Sequence, residues 1–302
     1  MKRSYIRTRP REVIADVINI LLMGVFALLC VYPFYYVIIN AISDNDAVAA
    51  GLVWLLPKGI HFQNFAAVSK LNGISRAALI SVLRTVIGTA AMMLSSSVLG
   101  YAMTRKEYWH RKFWYRFLII TMYFSAGIIP CYMNIRRLGL LNSFWVYILP
   151  SMAAPYNMIL VKTYIESIPS ALEEAAIIDG AGYFARFTKI IIPLCKPILA
   201  TIAVFGAVTQ WNSFMDTVLY MTGNDYRTLQ SLLNEYMNQA GFLTKLLQEG
   251  GNAAMTTQIG KALNIASIRH TITAVTLLPI LAVYPFFQRF FTKGIMIGAV
   301  KG

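Results

Sequence analysis

Charge is scarce in this sequence. Only 13% of its 302 residues are Asp, Glu, Lys or Arg, while 57% are apolar and the mean hydropathy is +0.57. A soluble domain carries about 25% charged residues, so the composition excludes an ordinary soluble fold and points to a membrane. Acids are scarcest of all: 13 Asp and Glu stand against 27 Lys and Arg, a formal charge of +14. On a soluble chain that excess would suggest nucleic acid. With this apolar content it fits cytoplasmic membrane loops instead, and no nucleic-acid partner is expected. Cysteine is sparse too. Cys30, Cys131 and Cys195 lie far apart, which supports neither a disulfide framework nor a cysteine metal cluster. His61, His110 and His270 form no His-Glu-x-x-His pair, and no Gly-x-x-x-x-Gly-Lys-Ser/Thr loop is present. The expectation is a chain with no catalytic, cofactor or metal site of its own, hence no enzyme; any ATP is bound by a partner.

What is abundant is long apolar runs. A hydrocarbon core of about 30 Å needs about 20 apolar helical residues. Runs free of Asp, Glu, Lys and Arg, the second of them Thr85 to Thr104, predict six transmembrane helices, at about 17–43, 80–104, 117–135, 138–161, 197–215 and 270–288. The predicted fold is an all-α, multi-pass membrane protein forming a single domain over 1–302. A secretory signal would have an apolar core of about 7–15 residues; the first run, Val17 to Ser43, is much longer and reads as a retained helix.

Lys2, Arg3, Arg7, Arg9 and Arg11 precede the first run, which places the N-terminus in the cytoplasm. Six spans return the C-terminus to the same side. The loops agree: Arg105, Lys106, Arg111, Lys112 and Arg116 fall inside, as do Lys162, Arg186, Lys189 and Lys196. Arg84 at the outer edge of span two, and Arg136 with Arg137 between spans three and four, read as snorkelling side chains whose long stems reach the interface.

Two connections are too long for turns: 162–196 inside and 216–269 outside. In the outer one Leu229, Leu232, Leu233, Tyr236 and Met237 recur at helical spacing before Gly250-Gly251, predicting an amphipathic helix outside the bilayer. The inner one contains Ser170-Ala171-Leu172-Glu173-Glu174-Ala175-Ala176-Ile177-Ile178-Asp179-Gly180. Ser170 with Glu173 predicts a capping box, the acids suit the first helical turn, and Gly180 can take the left-handed position that ends the helix. Leu172, Ala175, Ala176 and Ile178 give this helix an apolar side suited to a groove on another protein. Gly180-Ala181-Gly182-Tyr183-Phe184-Ala185 also matches the dinucleotide pattern Gly-x-Gly-x-x-Ala. That fingerprint needs a preceding strand and an acid about 20 residues further on, whereas here a helix precedes and a span follows.

Glu174-Ala175-Ala176, Gly180, Ile190 and Pro193 stand at the spacing of the E-A-A-x3-G-x9-I-x-L-P loop of ABC importer permeases, with Ile192 in place of leucine. Gly100-Tyr101-Ala102-Met103-Thr104-Arg105, Leu138-Gly139-Leu140, Trp211-Asn212-Ser213-Phe214 and the ending Gly298-Ala299-Val300-Lys301-Gly302 resemble the carbohydrate importers similar to the maltose transporter's G subunit. Tyr284-Pro285-Phe286-Phe287-Gln288-Arg289 with Lys293-Gly294-Ile295-Met296-Ile297-Gly298 resembles the complex-oligosaccharide subgroup, named for YtcP-like and lipoprotein-linked components.

The resemblance implies the type I ABC importer permease fold, located in the bacterial cytoplasmic membrane. The partners it implies are a second permease, an ATPase dimer that uses ATP and Mg, an extracellular or periplasmic solute-binding protein, membrane lipid, and an oligosaccharide. It implies a coupling helix in loop 162–196, with Glu174, Ala175, Ala176, Gly180, Gly182 and Pro193 serving ATPase coupling, and a tail, Val300, Lys301 and Gly302, reaching between the ATPases. Tyr156, Asn157, Gln210, Trp211 and Asn212 are polar or aromatic positions in spans four and five that could line the substrate path. A self-sufficient secondary transporter or channel is the alternative. It needs an intramembrane carboxylate or paired repeats, and the six runs hold neither.

Overall fold

The computed structural model describes residues 10–69, 73–248 and 267–282. Among these no strand occurs, as an apolar medium demands of a chain that does not close a barrel: a helix satisfies every backbone N–H and C=O within one segment. Two compact units form, one of Met1–Val68 with Gln239–Val275 and one of Ser69–Asn238 with Thr276–Gly302.

The first unit holds α1 (Pro10–Ala41), α2 (Asn45–Ala49) and α3 (Gln63–Ser69). Over Val13–Ala41, α1 is long and apolar enough to cross a membrane, and none of its most apolar stretch is buried. Ser43 Oγ closes its end by donating to the Ile39 carbonyl at 2.6 Å. The following loop folds back along the helix, where the Tyr32 and Tyr35 hydroxyls donate to the carbonyls of Trp54 and Leu55 at 3.2 and 2.5 Å. Asp44 caps α2 by accepting from the N–H groups of Asp46 and Ala47.

The second unit is built on α4 (Ile74–Thr104), the other helix that passes as a straight span. After α5 (Arg111–Tyr123) and α6 (Ile128–Arg137) come a 3₁₀ turn (Phe144–Tyr147), α7 (Leu149–Met152) and α8 (Pro155–Glu166). The inner connection holds α9 (Ala171–Ile178), α10 (Tyr183–Arg186), a π turn (Phe187–Ile191) and α11 (Ile192–Leu194). Next are α12 (Lys196–Asn212) and α13 (Met215–Tyr220); α14 (Leu229–Gln248) and α15 (Ser267–Ala282) each have residues in both units, divided after Asn238 and after Val275.

Helix α4 packs on α12, α8 and α7, and glycines let the backbones approach, as small residues do between membrane helices. A Cβ on Gly88 would sit 2.6 Å from Gln210 Nε2, one on Gly206 2.5 Å from Met92 Cε, and one on Gly100 3.1 Å from the Met158 carbonyl oxygen. Met92, Tyr101, Val161, Ile165, Ile191, Cys195, Leu199 and Ile202 form the core at this crossing.

The spans are less straight than a count of apolar residues predicts. Residues 117–135 do not form one straight helix: α5 and α6 meet at 119°, broken at Gly127, which has φ +85. Residues 138–161 bend by 43° between Phe144–Met152 and α8, where Pro155 begins the second segment. A 78° bend separates Tyr183–Leu194 from α12, with Pro193 and Pro197 on either side of it. Among the described residues two helices are long and apolar enough to cross a membrane, or up to five spans are if each bent pair is one span. The expected sixth span, 270–288, is described only as far as α15.

The expected amphipathic helix of the outer connection is α14, with Leu229 and Leu232 buried.

Candidate functional site

Helix α9 has two faces set by its 100° rotation per residue. Ala176 is its one buried residue, and Glu173, three positions earlier, is mostly covered on the same side. Glu174, Ala175 and Ile178 point away and are exposed, Ile178 at 85%. Tyr183 and Phe184, also exposed, follow the turn. Ala176, expected on the docking side, is therefore turned into its own chain.

The capping box does not form. Ser170 has helical backbone angles, φ −60 and ψ −29, whereas a side-chain N-cap needs extended ones; only its carbonyl works, accepting from the N–H groups of Glu173 and Glu174 at 2.9 Å each. The Glu173 carboxylate is held by stronger donors. The Tyr101 hydroxyl donates to its Oε1 at 3.0 Å, Arg105 Nη1 donates to the same oxygen, and Arg186 Nη1 approaches it at 3.5 Å. Charged donors outcompete the Ser170 backbone N–H, the partner that a capping box would give this carboxylate.

The helix ends as expected. Gly180 adopts φ +76, its N–H donates to the Ile177 carbonyl at 3.0 Å, and the Ala181 N–H donates to that of Ala176 at 2.9 Å, the paired bonds of a Schellman ending. Gly182 then opens α10, its carbonyl accepting from the Arg186 N–H at 3.0 Å. Pro193 follows the π turn, in which the Ile192 N–H reaches back to the Phe187 carbonyl. A proline offers no N–H and crowds the carbonyl four residues earlier, and the wider turn precedes it.

A second ionic cluster lies further along α4. Arg84 is 2% exposed, so it does not snorkel: it is held by specific partners. Its Nε donates to Gln210 Oε1 at 3.1 Å, Nη1 to the Ser213 carbonyl and to Asp216 Oδ1 at 3.2 Å each, and Nη2 to Asp216 Oδ2. Its guanidinium lies 4.2 Å from the centre of the Tyr147 ring. Gln210 also donates to the Tyr147 carbonyl at 3.2 Å and to Ser151 Oγ at 2.7 Å. The break between α12 and α13 is thereby pinned to α4. Beside the pair lies a cavity of about 300 Å³, lined among others by Asn134, Thr209 and Tyr220. Twenty-one residues separate Arg84 from Arg105, about 30 Å of helix at 1.5 Å per residue, the thickness of a hydrocarbon core. Arg136 and Arg137 are exposed.

The substrate-path candidates divide. Asn157 is buried and donates to Met92 Sδ at 3.0 Å, and the Trp211 indole N–H donates to the Thr276 carbonyl at 2.9 Å. Both of these side chains thus bond to neighbouring helices, while Gln210, bonded to Arg84 and Ser151, also lines the cavity. Tyr156 is 54% exposed, and Asn212 is exposed with its oxygen accepting from Gln230 at 3.2 Å. Val300, Lys301 and Gly302 lie outside the described residues.

Comparison with known proteins bears on this arrangement. Residues 6–297 match the family model described as the binding-protein-dependent transport system inner membrane component. The chain belongs to this family. It is 35% identical over 277 residues to the polygalacturonan/rhamnogalacturonan transport system permease protein YtcP of Bacillus subtilis (strain 168), covering 92% of this chain and 94% of the relative. Protein LplC of the same organism is 33% identical, with 95% of each chain covered. In three dimensions the chain resembles a bacterial ABC transporter involved in the import of the acidic polysaccharide alginate, with a TM-score of 0.81 and 28% identity over 94% of this chain and 99% of the other. The fold is thus that of an ABC importer permease. Family membership accords with the motif in loop 162–196, but neither Glu173 nor the Arg84–Asp216 pair was legible as a site. The signal for the pair was two lone charges, one bounding span two and the other span five.

Proposed function

We propose that this chain is a transmembrane permease subunit of a binding-protein-dependent ABC importer of oligosaccharides, working with a second permease, an ATPase dimer and an external solute-binding protein. The observation that carries the reading is the outward face of α9: Glu174, Ala175 and Ile178 stand exposed on a helix whose other face is fixed to its own chain. An exposed apolar patch with an adjacent charge suits a groove on another protein. Since the sequence has no phosphate-binding loop, the energy for transport enters through that contact, and ATP with Mg belongs to the partner. Alternating access follows if the docked helix moves with the ATPases and carries the spans behind it. The names of the relatives support a carbohydrate cargo. We place the chain in the bacterial cytoplasmic membrane, with six spans, both termini inside and α9 on the cytoplasmic side. Gly180 and Gly182 set the turn that orients α10, and Pro193 the return to α12.

The test is to purify the tagged complex in mild detergent and measure its ATP hydrolysis with and without Glu174→Arg. Recovery of a second permease and an ATPase, with hydrolysis or ATPase retention lost on substitution, supports the reading. A lone stable chain indifferent to the substitution refutes it in favour of a self-sufficient carrier.

A further inference from the structure

The acid next to Glu174 does different work. Glu173 is 14% exposed at its side chain and faces the body of the chain, between arginines from two other elements. Arg105 is the first residue beyond α4, and it is held by partners besides Glu173. Its Nε and Nη2 donate to Thr104 Oγ1 at 3.0 and 2.8 Å, and its guanidinium lies 4.5 Å from the centre of the Tyr101 ring. Only Nη1 is turned to the carboxylate. Tyr101 packs in turn on Phe187 of the π turn, with ring centres 5.1 Å apart. On the other side Arg186 lies against the Tyr183 ring at 4.3 Å, and its Nε is buried without a hydrogen-bond partner.

Helix α9 has eight residues and is bounded by the Ser167–Ser170 turn and the Gly180–Gly182 turn. Besides Ala176 nothing on it is buried. A helix so lightly packed would shift against the spans when pushed unless a directional bond tied it to one of them. We infer that Glu173 is that tie: a positioning residue that fastens the coupling helix to the cytoplasmic end of α4 through Arg105 and Tyr101, so that displacement of α9 becomes displacement of α4. The inference rests on the function proposed above. It assigns the two adjacent acids opposite duties, Glu174 to the partner and Glu173 to the chain's own second span.

The experiment uses the full complex in proteoliposomes with its solute-binding protein and an oligosaccharide that the wild type takes up. Uptake and ATP hydrolysis are measured on the same samples for wild type, Glu173→Gln, Arg105→Met and the double variant. Glu173→Gln is expected to retain the ATPase and most of its hydrolysis, within about twofold, while uptake per ATP falls at least tenfold. Arg105→Met should show the same loss, and the double variant no more than either alone, because the Arg105–Glu173 pair is broken in all three. Wild-type uptake per ATP in Glu173→Gln overturns the inference. So do additive losses in the double variant, or a loss of uptake that only tracks loss of assembled complex. Failure of the wild-type chain to hold an ATPase at all would instead refute the function on which the inference rests, and Glu174→Arg, which acts at the partner contact, separates the two cases.

Discussion

Replacing Arg84 by methionine tests the buried cluster most directly. The substitution keeps a long apolar stem but removes four hydrogen bonds, two of them to Asp216. Asp216 is left with the Thr217 N–H at 2.9 Å and a side chain 22% exposed. Removing one partner from a buried ion pair costs about 3–5 kcal/mol; because water reaches part of the carboxylate, about 3 kcal/mol is expected here. Asp216→Asn is the harsher change. It strips the counter-charge from a guanidinium that is 2% exposed, and a loss of about 5 kcal/mol is expected. At about 2–4 °C per kcal/mol, the apparent melting temperature should fall by about 10 °C for Arg84→Met and further for Asp216→Asn. Arg84→Met with Asp216→Asn together should recover at least half of the larger loss, since no charge is then left unpaired. The assay is thermal inactivation of the purified complex followed by size-exclusion chromatography, at one heating rate, because such unfolding is seldom reversible. Losses that simply add in the double variant would refute the pairing, and a shift below about 2 °C for Arg84→Met would refute its burial.

Two glycines give further tests. Gly180→Leu places a side chain at φ +76, where a left-handed L-residue costs roughly 1–2 kcal/mol; the permease should reach the membrane but lose uptake, whereas Gly180→Asn, which tolerates that region, should keep most of it. Equal uptake by both would show that the turn carries no constraint. Gly100→Leu puts a Cβ 3.1 Å from the Met158 backbone oxygen and 3.0 Å from Val161, a clash that backbone cannot easily relieve. It should reduce recovery of folded complex severalfold, measured as the monodisperse fraction in detergent, and unchanged recovery would mean that α4 and α8 are less closely packed than described.

The inner loop was largely legible because its signals are local. The helix ends at Gly180 through bonds from Gly180 and Ala181 to carbonyls three and five positions before them, respectively, and apolar residues at helical spacing foretold α14 for the same reason. The capping box failed for the opposite reason: the donors that capture Glu173 come from Tyr101, Arg105 and Arg186, and a motif read over four residues does not contain them. Bends failed similarly, since a count of charge-free residues registers neither the conformation of Gly127 nor the interruption at Pro155.

The same count also hid the pair it should have exposed. It began the uncharged part of span two after Arg84 and ended span five before Asp216, treating each charge as a boundary because a lone charge is costly in hydrocarbon. Joined, the two neutralise one another, and the boundary of each helix becomes its attachment to the other. Arg105 and Glu173 repeat the arrangement at the far end of α4. Two ionic attachments about 30 Å apart at 1.5 Å per residue make α4 a rod with a fastening to α9 at one end and to the α12–α13 break towards the other. A push on α9 can reach that break only if both fastenings hold. Glu173→Gln and Arg84→Met should therefore both impair uptake, but the fall of about 10 °C in melting temperature is expected for the second and a smaller one for the first, because Glu173→Gln leaves Arg105 its two bonds to Thr104 whereas Arg84→Met leaves the Asp216 carboxylate without its guanidinium.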